Sequence, residues 1–416
     1  MARNMDVLII GGGVVGVSCA FELAKRGARV TVLERDRIGH GCSYGNAGWL
    51  TPSQATPLAN PSMIFKSFRW MLDPESPLYI QPRLDPAYLR WLIEFLLASR
   101  KSRFEPGTMA LVELCNASTD MWEETAKRNP AFTSFERHGL LAVYEHESSL
   151  AAGVKANELM ARAGVRVERW SADDIRQREP AVTGPTVGGY FFPDDAHCKP
   201  YEAVRVLADE AAAAGVRFVE GAEVFDISPA TAGSPRIVKT TAGEFRGDRL
   251  LLAAGAWSSR LGELLQLRIP VLGAKGYSMM LDRATPHPTR SIYLIERKVA
   301  VNPHHDGLRI AGTLELVNND FSINQRRVAV ILRGAKAMLN IGDAPVVHSL
   351  WRGLRPCTPD GMPVIGRAKG YGDVWLATAH QMTGLKTAPA TGLLLAQLMS
   401  GETPRFDPAP FRADRF

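Results

Sequence analysis

The sequence has no run of 18 consecutive apolar residues, so no membrane-spanning helix is expected. Cysteine is scarce and scattered: Cys19, Cys42, Cys115, Cys198 and Cys357 are odd in number and form no C-x-x-C pair. That argues against a disulfide framework or a zinc site and fits a reducing compartment. Basic residues exceed acidic ones by a net +6, yet no basic tail or nucleic-acid motif gathers them, so no nucleic-acid partner is expected. The excess suits anionic small ligands or an acidic membrane surface. There is no fixed-period repeat and no low-complexity tract. The first strand-like run begins at Asp6, which leaves no room for a cleavable leader, and a cytoplasmic location is expected. With 46% hydrophobic and 22% charged residues the composition is that of a soluble globular protein. A length of 416 residues exceeds one ordinary core, so two domains are expected.

What the chain does have is concentrated between Met5 and Arg35, MDVLIIGGGVVGVSCAFELAKRGARVTVLER. Asp6 to Ile10 is a short apolar β-type run, Val17 to Arg26 reads as a helix, and Ala28 to Leu33 as a second strand ending at Glu34. Between them Gly11, Gly13 and Gly16 have G-x-G-x-x-G spacing. Gly11 permits the tight strand-to-helix turn, Gly13 lets the backbone approach a pyrophosphate, and Gly16 lets helix and strand pack closely. The amides at the helix start, around Val14 and Val15, turn the positive dipole end toward the phosphates. Glu34 is placed to accept hydrogen bonds from two ribose hydroxyls and would repel a 2′-phosphate. Strand, helix, strand and acid in register point to a dinucleotide site; the bland alternative is a glycine-rich turn without a ligand.

Later segments make the ligand specific. After Glu34 and Arg35 a small-residue loop runs to Pro52, and Gly41-Cys42-Ser43 followed by Asn46-Ala47-Gly48 resembles a G-x-S-x-x-N-A-G segment. That segment is found in the flavoprotein family containing D-amino-acid oxidase, glycine oxidase and D-amino-acid dehydrogenase. Four further blocks agree in order: Ala254-Gly255-Ala256-Trp257-Ser258 at a strand end, Lys275-Gly276-Tyr277-Ser278, Gly312-Thr313-Leu314-Glu315, and Trp351 to Gly361 (WRGLRPCTPDG). A last strand, Asp373 to Thr378, leads through Ala379-His380-Gln381-Met382-Thr383-Gly384 into a helix from Thr387. The resemblance covers almost the whole chain and is nearest to the branch of D-amino-acid and D-hydroxyproline dehydrogenases.

The resemblance implies an α/β fold with a Rossmann-type, glutathione-reductase-like FAD-binding domain from 1–56, 164–269 and 345–416. A discontinuous α+β substrate domain on a mostly antiparallel sheet would come from 57–163 and 270–344. FAD contacts are implied at Gly11, Gly13, Val14, Val15, Gly16, Glu34, Arg35, Gly41, Cys42, Ser43, Asn46, Ala47, Gly48 and Leu50. Further contacts are implied at Val224 beside Glu223, at Ala254, Gly255, Trp257 and Arg355, and at Gly384, Leu385, Lys386 and Thr387, the last group near the negative charge of reduced flavin. The FAD is expected to be noncovalent. The sarcosine-oxidase branch uses a Cys seven residues before the Asp of its P-D step, and that position here is Gly353, with Cys357 off register.

The implied reaction is oxidation of a D-amino acid, D-proline and D-hydroxyproline included, by hydride transfer from the α-carbon to flavin N5. A quinone or another non-oxygen acceptor would then take the electrons. Arg355 has the planar fork that matches a substrate carboxylate; an ion pair to Asp360 is its alternative. Arg352 is a weaker competitor. Tyr277 serves either as a second carboxylate donor or as a core hydrogen bond. His380 either touches flavin or substrate or caps the following segment. Met382 stands where glycine oxidase carries an arginine, which counts for a roomier, more apolar side-chain pocket. An oxidase using O2, or a flavin-bearing subunit of a larger complex, remain the competing readings.

Residues 57–104 are broken by prolines into two apolar helical patches, Met63 to Leu72 and Tyr88 to Ala98. The second is either packed into the substrate domain or an interfacial membrane helix flanked by Arg83, Arg90, Arg100, Lys101 and Arg103. The interfacial alternative would put the protein on the inner face of the cell membrane.

Overall fold

Asp6–Ile10 is the middle of a sheet because its unbroken apolar run needs cover on both faces. The computed structural model describes residues 5–61, 76, 78–229, 235–317 and 320–416; the patch Met63 to Leu72 lies outside them. The six-stranded sheet runs Val364–Arg367, Val374–Thr378, Arg249–Leu252, Asp6–Ile10, Arg29–Leu33, Arg217–Val219. Its pairings are parallel except between the first two strands, and Leu8 lies between Leu250 and Thr31. Helices Val14–Ala24 and Gly384–Ser400 pack together beside it. Gly16 is required there: a Cβ would run into the carbonyl oxygen of Gly11.

The larger sheet has nine strands. In order they are Val347–Cys357, Leu272–Leu281, Gly307–Leu316, Val299–His304, Ser291–Leu294, Leu140–Tyr144, Gly188–Phe192 and Glu168–Ser171, with Leu78–Ile80 added along Gly307–Leu316. It is mostly antiparallel, with parallel pairing at Ser291–Leu294/Leu140–Tyr144 and at Gly307–Leu316/Leu78–Ile80. Helix Gln325–Met338 buries Val328, Ile331, Ala335 and Met338 against one face of it. A small antiparallel sheet of Val224–Ile227, Arg236–Thr240 and Gly243–Gly247 flanks the nucleotide half.

Strand pairing departs from the expected boundaries. Glu168–Ser171, Gly188–Phe192 and Val347–Cys357 hydrogen-bond into the larger sheet, although 164–269 and 345–416 were assigned to the nucleotide unit. Pairing between strands tens of residues apart leaves no local mark in composition. Helix Lys101–Arg128 carries Pro106 inside it, since one lost hydrogen bond does not stop a 28-residue helix.

Helix Pro86–Ala98 is capped by Asp85, whose carboxylate accepts the Ala87 N–H at 2.9 Å. One face is packed: Tyr88 and Trp91 are buried, and the Trp91 indole donates to the Pro270 carbonyl at 3.1 Å. The other face leaves Leu89, Ile93 and Leu97 at 43%, 58% and 54% exposure. No helix among the described residues is long and apolar enough to cross a membrane.

Candidate active site

The two sheets enclose a cavity of about 2000 Å³. At one end Glu34 ends its strand with both carboxylate oxygens held: Oε2 accepts the Gly12 N–H at 2.8 Å and Oε1 the Asp36 N–H at 3.0 Å. The Arg35 guanidinium stacks 4.1 Å above the Trp257 ring, and Val224 and Glu223 complete this end. Along the middle lie Gly11, Gly13, Val14 and Val15, facing Gly41, Cys42, Ser43, Asn46 and Ala47, with Ala254 and Gly255 beside them. Ser43 Oγ accepts the Val14 N–H at 3.0 Å and ties that loop to the helix start. The Cys42 thiol donates to the Leu354 carbonyl at 2.7 Å, and burial pushes its pKa up to about 11.

Arg355 also lines the cavity. On adjacent antiparallel strands Ala274 faces Arg355 and Gly276 faces Gly353, so alternate residues share a side. Gly276 leaves the space that the Arg355 guanidinium fills; a Cβ there would collide with it. Nη1 donates to the Thr313 carbonyl at 2.7 Å, and no carboxylate among the described residues pairs with the guanidinium. Burial lowers its pKa from the ordinary arginine value. The alternative partner fails: Asp360 is held by Arg415, 2.6 Å from Nε. Arg352 projects to the opposite side, where its Nε meets the Phe321 carbonyl.

Tyr277 follows the same alternation away from Gly276. Its ring joins the core under helix Gln325–Met338, and its hydroxyl accepts the Asn324 N–H at 3.1 Å. That is the core-hydrogen-bond reading, although the residue still contributes to the cavity wall. His380 lies on the wall but is 3% exposed, and its Nε2 is 3.1 Å from Thr391 Oγ1 on the following helix. Burial pushes its pKa down to about 3, so the ring is neutral and engaged with the segment it precedes. Gly384, Leu385 and Lys386 are on the wall. Gly16, Gly48, Leu50 and Thr387 are not: Gly16 packs against Gly11, Gly48 at φ 83° turns the chain, Leu50 is fully buried, and the Thr387 hydroxyl bonds Thr383.

Sequence reasoning gave no role to Thr313, Trp351 or Asp195. Thr313 sits at φ 59°, unusual for a β-branched residue, and supplies the carbonyl that docks Arg355. Its place in the G-T-x-E block was the available signal. Trp351 packs against Gly45 and Gly353, both of which need to be glycine to admit its ring.

This donor set suits FAD. A carboxylate ends the second strand, glycines and a helix N-terminus line the cavity beside it, and a guanidinium stands on the same cavity wall. The buried Trp49 indole N–H on the wall has no partner among the described residues. Residues 6–398 match the family described as FAD dependent oxidoreductase. The chain is 32% identical to a D-amino acid dehydrogenase of Chromohalobacter salexigens over 99% of this chain and 100% of that one. It is 33% identical to a D-amino acid dehydrogenase of Vibrio cholerae serotype O1 over 96% of each. A glycine oxidase from Geobacillus kaustophilus has a similar structure, with TM-score 0.78, 25% identity and coverage of 100% and 99%. Cavity chemistry, strand order and these matches agree that the chain belongs to the FAD-dependent oxidoreductase family.

Proposed function

We propose that the protein is an FAD-dependent D-amino-acid dehydrogenase. The observation that carries this reading is Arg355, a half-buried guanidinium on the cavity wall with no carboxylate partner among the described residues. Relatives of nearly equal length that bear the dehydrogenase name support the reaction class. Glu34 and the glycine turn would hold the adenosine and pyrophosphate end of FAD; residues 384–387 would meet its ring end. When bound, FAD supplies the acceptor for a hydride from the substrate α-carbon. Arg355 would fix the substrate carboxylate and so aim that carbon, with orientation carrying much of the rate. Lys386 and the helix start would compensate negative charge that builds at the ring end. No side-chain base is required once the substrate amine is neutral, and His380, held to Thr391, is free of that duty.

The two sheets support a division into a cofactor-holding unit and a substrate-facing unit. A non-oxygen acceptor, a quinone among them, is supported by the part of the cavity lined by Leu78, Ile80, Leu92, Phe95 and Leu96 beneath helix Pro86–Ala98. The exposed apolar edge of that helix and its basic flanks support peripheral contact with a cytoplasmic membrane face. The O2-using oxidase is the second reading, favoured by the likeness to a glycine oxidase. Anaerobic bleaching of the bound flavin across D-, L- and N-alkyl amino acids tests the substrate class. Dye reduction without peroxide is expected; stoichiometric peroxide would sink the dehydrogenase reading.

A further inference from the structure

Asp195 and Lys386 are 0% and 4% exposed, with one turn of backbone between them. On one side, Ser53 donates its hydroxyl to Asp195 Oδ2 and its N–H to Oδ1 at 3.3 Å. On the other, Lys386 Nζ donates to the Thr51 hydroxyl at 2.7 Å and to the Thr51 carbonyl at 3.3 Å. Lys386 and Ser53 reach the cavity wall; Asp195 stands behind it. No opposite charge lies within 4.0 Å of either side chain among the described residues.

The groups that face this couple are few. Helix Lys101–Arg128 presents the Cys115 thiol to both, and burial pushes that thiol up to about 12, leaving it uncharged. Asp194 adjoins Asp195 and is itself held by Arg166. Burial lowers the Lys386 pKa while Cys115 and Asp195 oppose that; burial raises Asp195 to about 7 against the Ser53 bonds and Lys386. A lone buried charge is costly, and two opposite charges across one turn relieve each other.

We propose that Asp195 is a positioning residue that keeps Lys386 cationic from behind the cavity, through the Thr51–Ser53 turn. The cavity then presents a standing positive charge at residues 384–387, while the buried couple as a whole is neutral. The role rests on the reading that the ring end of FAD lies at those residues.

The midpoint potential of the bound flavin, measured against reference dyes between pH 6 and 9, tests it. Lys386→Met should shift the potential to more negative values at every pH. Asp195→Asn should match wild type at pH 6 and fall below it as pH rises and the unsupported ammonium loses its proton. A purely structural Asp195 would give a uniform change or none across pH, and either result overturns the proposal. Should Asp195→Asn fail to accumulate with FAD bound, Ser53→Ala is expected to give a weaker shift of the same sign, and no shift there overturns it. Bleaching by D-amino acids on the same wild-type sample separates the two readings. Its absence defeats the proposed activity alone, whereas bleaching with a flat Asp195→Asn profile defeats only the role of Asp195.

Discussion

Arg355 Nη1 donates to the carbonyl oxygen of Thr313 at 2.7 Å, and Thr313 is held at φ 59° to receive it. One corner of the guanidinium is thus pinned to backbone, which leaves the rest of the fork for a planar anion. Replacing Arg355 with Met should raise the substrate KM by about 100-fold, the scale of lost charge-assisted hydrogen bonds. Arg355→Lys should not restore it, because an ammonium lacks the fork. Steady-state kinetics with a saturating dye acceptor would check this, and an unchanged KM would refute the assignment.

Gly276 offers a gentler version of the same test. A methyl there would meet the guanidinium itself, so Gly276→Ala should displace Arg355 while leaving the glycine turn intact. KM is expected to rise by about tenfold, roughly 1.4 kcal/mol, with FAD content unchanged by absorbance. Loss of FAD instead would place Gly276 in cofactor binding.

Glu34 holds two backbone amides as well as the proposed ribose contact. Glu34→Ala should weaken FAD binding by about 10- to 100-fold, in line with ~1.5–3 kcal/mol for hydrogen bonds to a charged group. Quenching of flavin fluorescence on titration would measure it. With FAD in excess, the substrate KM should return to the wild-type value.

Burial pushes His197 down to about 4 and His304 and His380 down to about 3, and it lowers His287 as well. Unfolded imidazoles titrate near 6.5, so as pH falls the unfolded chain takes up protons that the native chain refuses. Stability should therefore decline between pH 6.5 and 4, by on the order of several kcal/mol. Asp195, raised to about 7, acts in the opposite sense between pH 4 and 7 and offsets part of the loss. Denaturant melts at pH 7 and pH 5 would show the net direction, and His304→Phe should flatten the slope.

Exposed Leu89, Ile93 and Leu97 lie on the helix edge that the membrane reading uses. Wild-type protein should float with vesicles rich in phosphatidylglycerol, and the triple Asp variant should not. Failure of the wild type to float would remove that reading.

The nucleotide half was legible because its signals are local. Gly11, Gly13, Gly16 and Glu34 lie within one strand–helix–strand unit, where each has a steric or hydrogen-bonding task. The far end was less so. Tyr277 follows Gly276 directly, yet pleating turns the two to opposite sides of the sheet, and no pattern in K-G-Y-S says which side the cofactor takes. His380 could be placed on a turn, but Thr391, its partner on the next helix, was not evident from sequence. The pairing of Val347–Cys357 was not legible for a similar reason, since its partner strand Leu272–Leu281 is distant in sequence.

The five unpaired cysteines have a practical consequence. Cys19, Cys115, Cys198 and Cys357 are sealed inside, and burial raises all five thiols. Cys42 alone borders the cavity, with its proton given to Leu354. Alkylating reagents should therefore find little thiolate in the native protein and five reactive sulfurs once it opens. The chain carries its own stopwatch for unfolding, with Cys42 marking departure of the cofactor and the other four marking collapse of the cores.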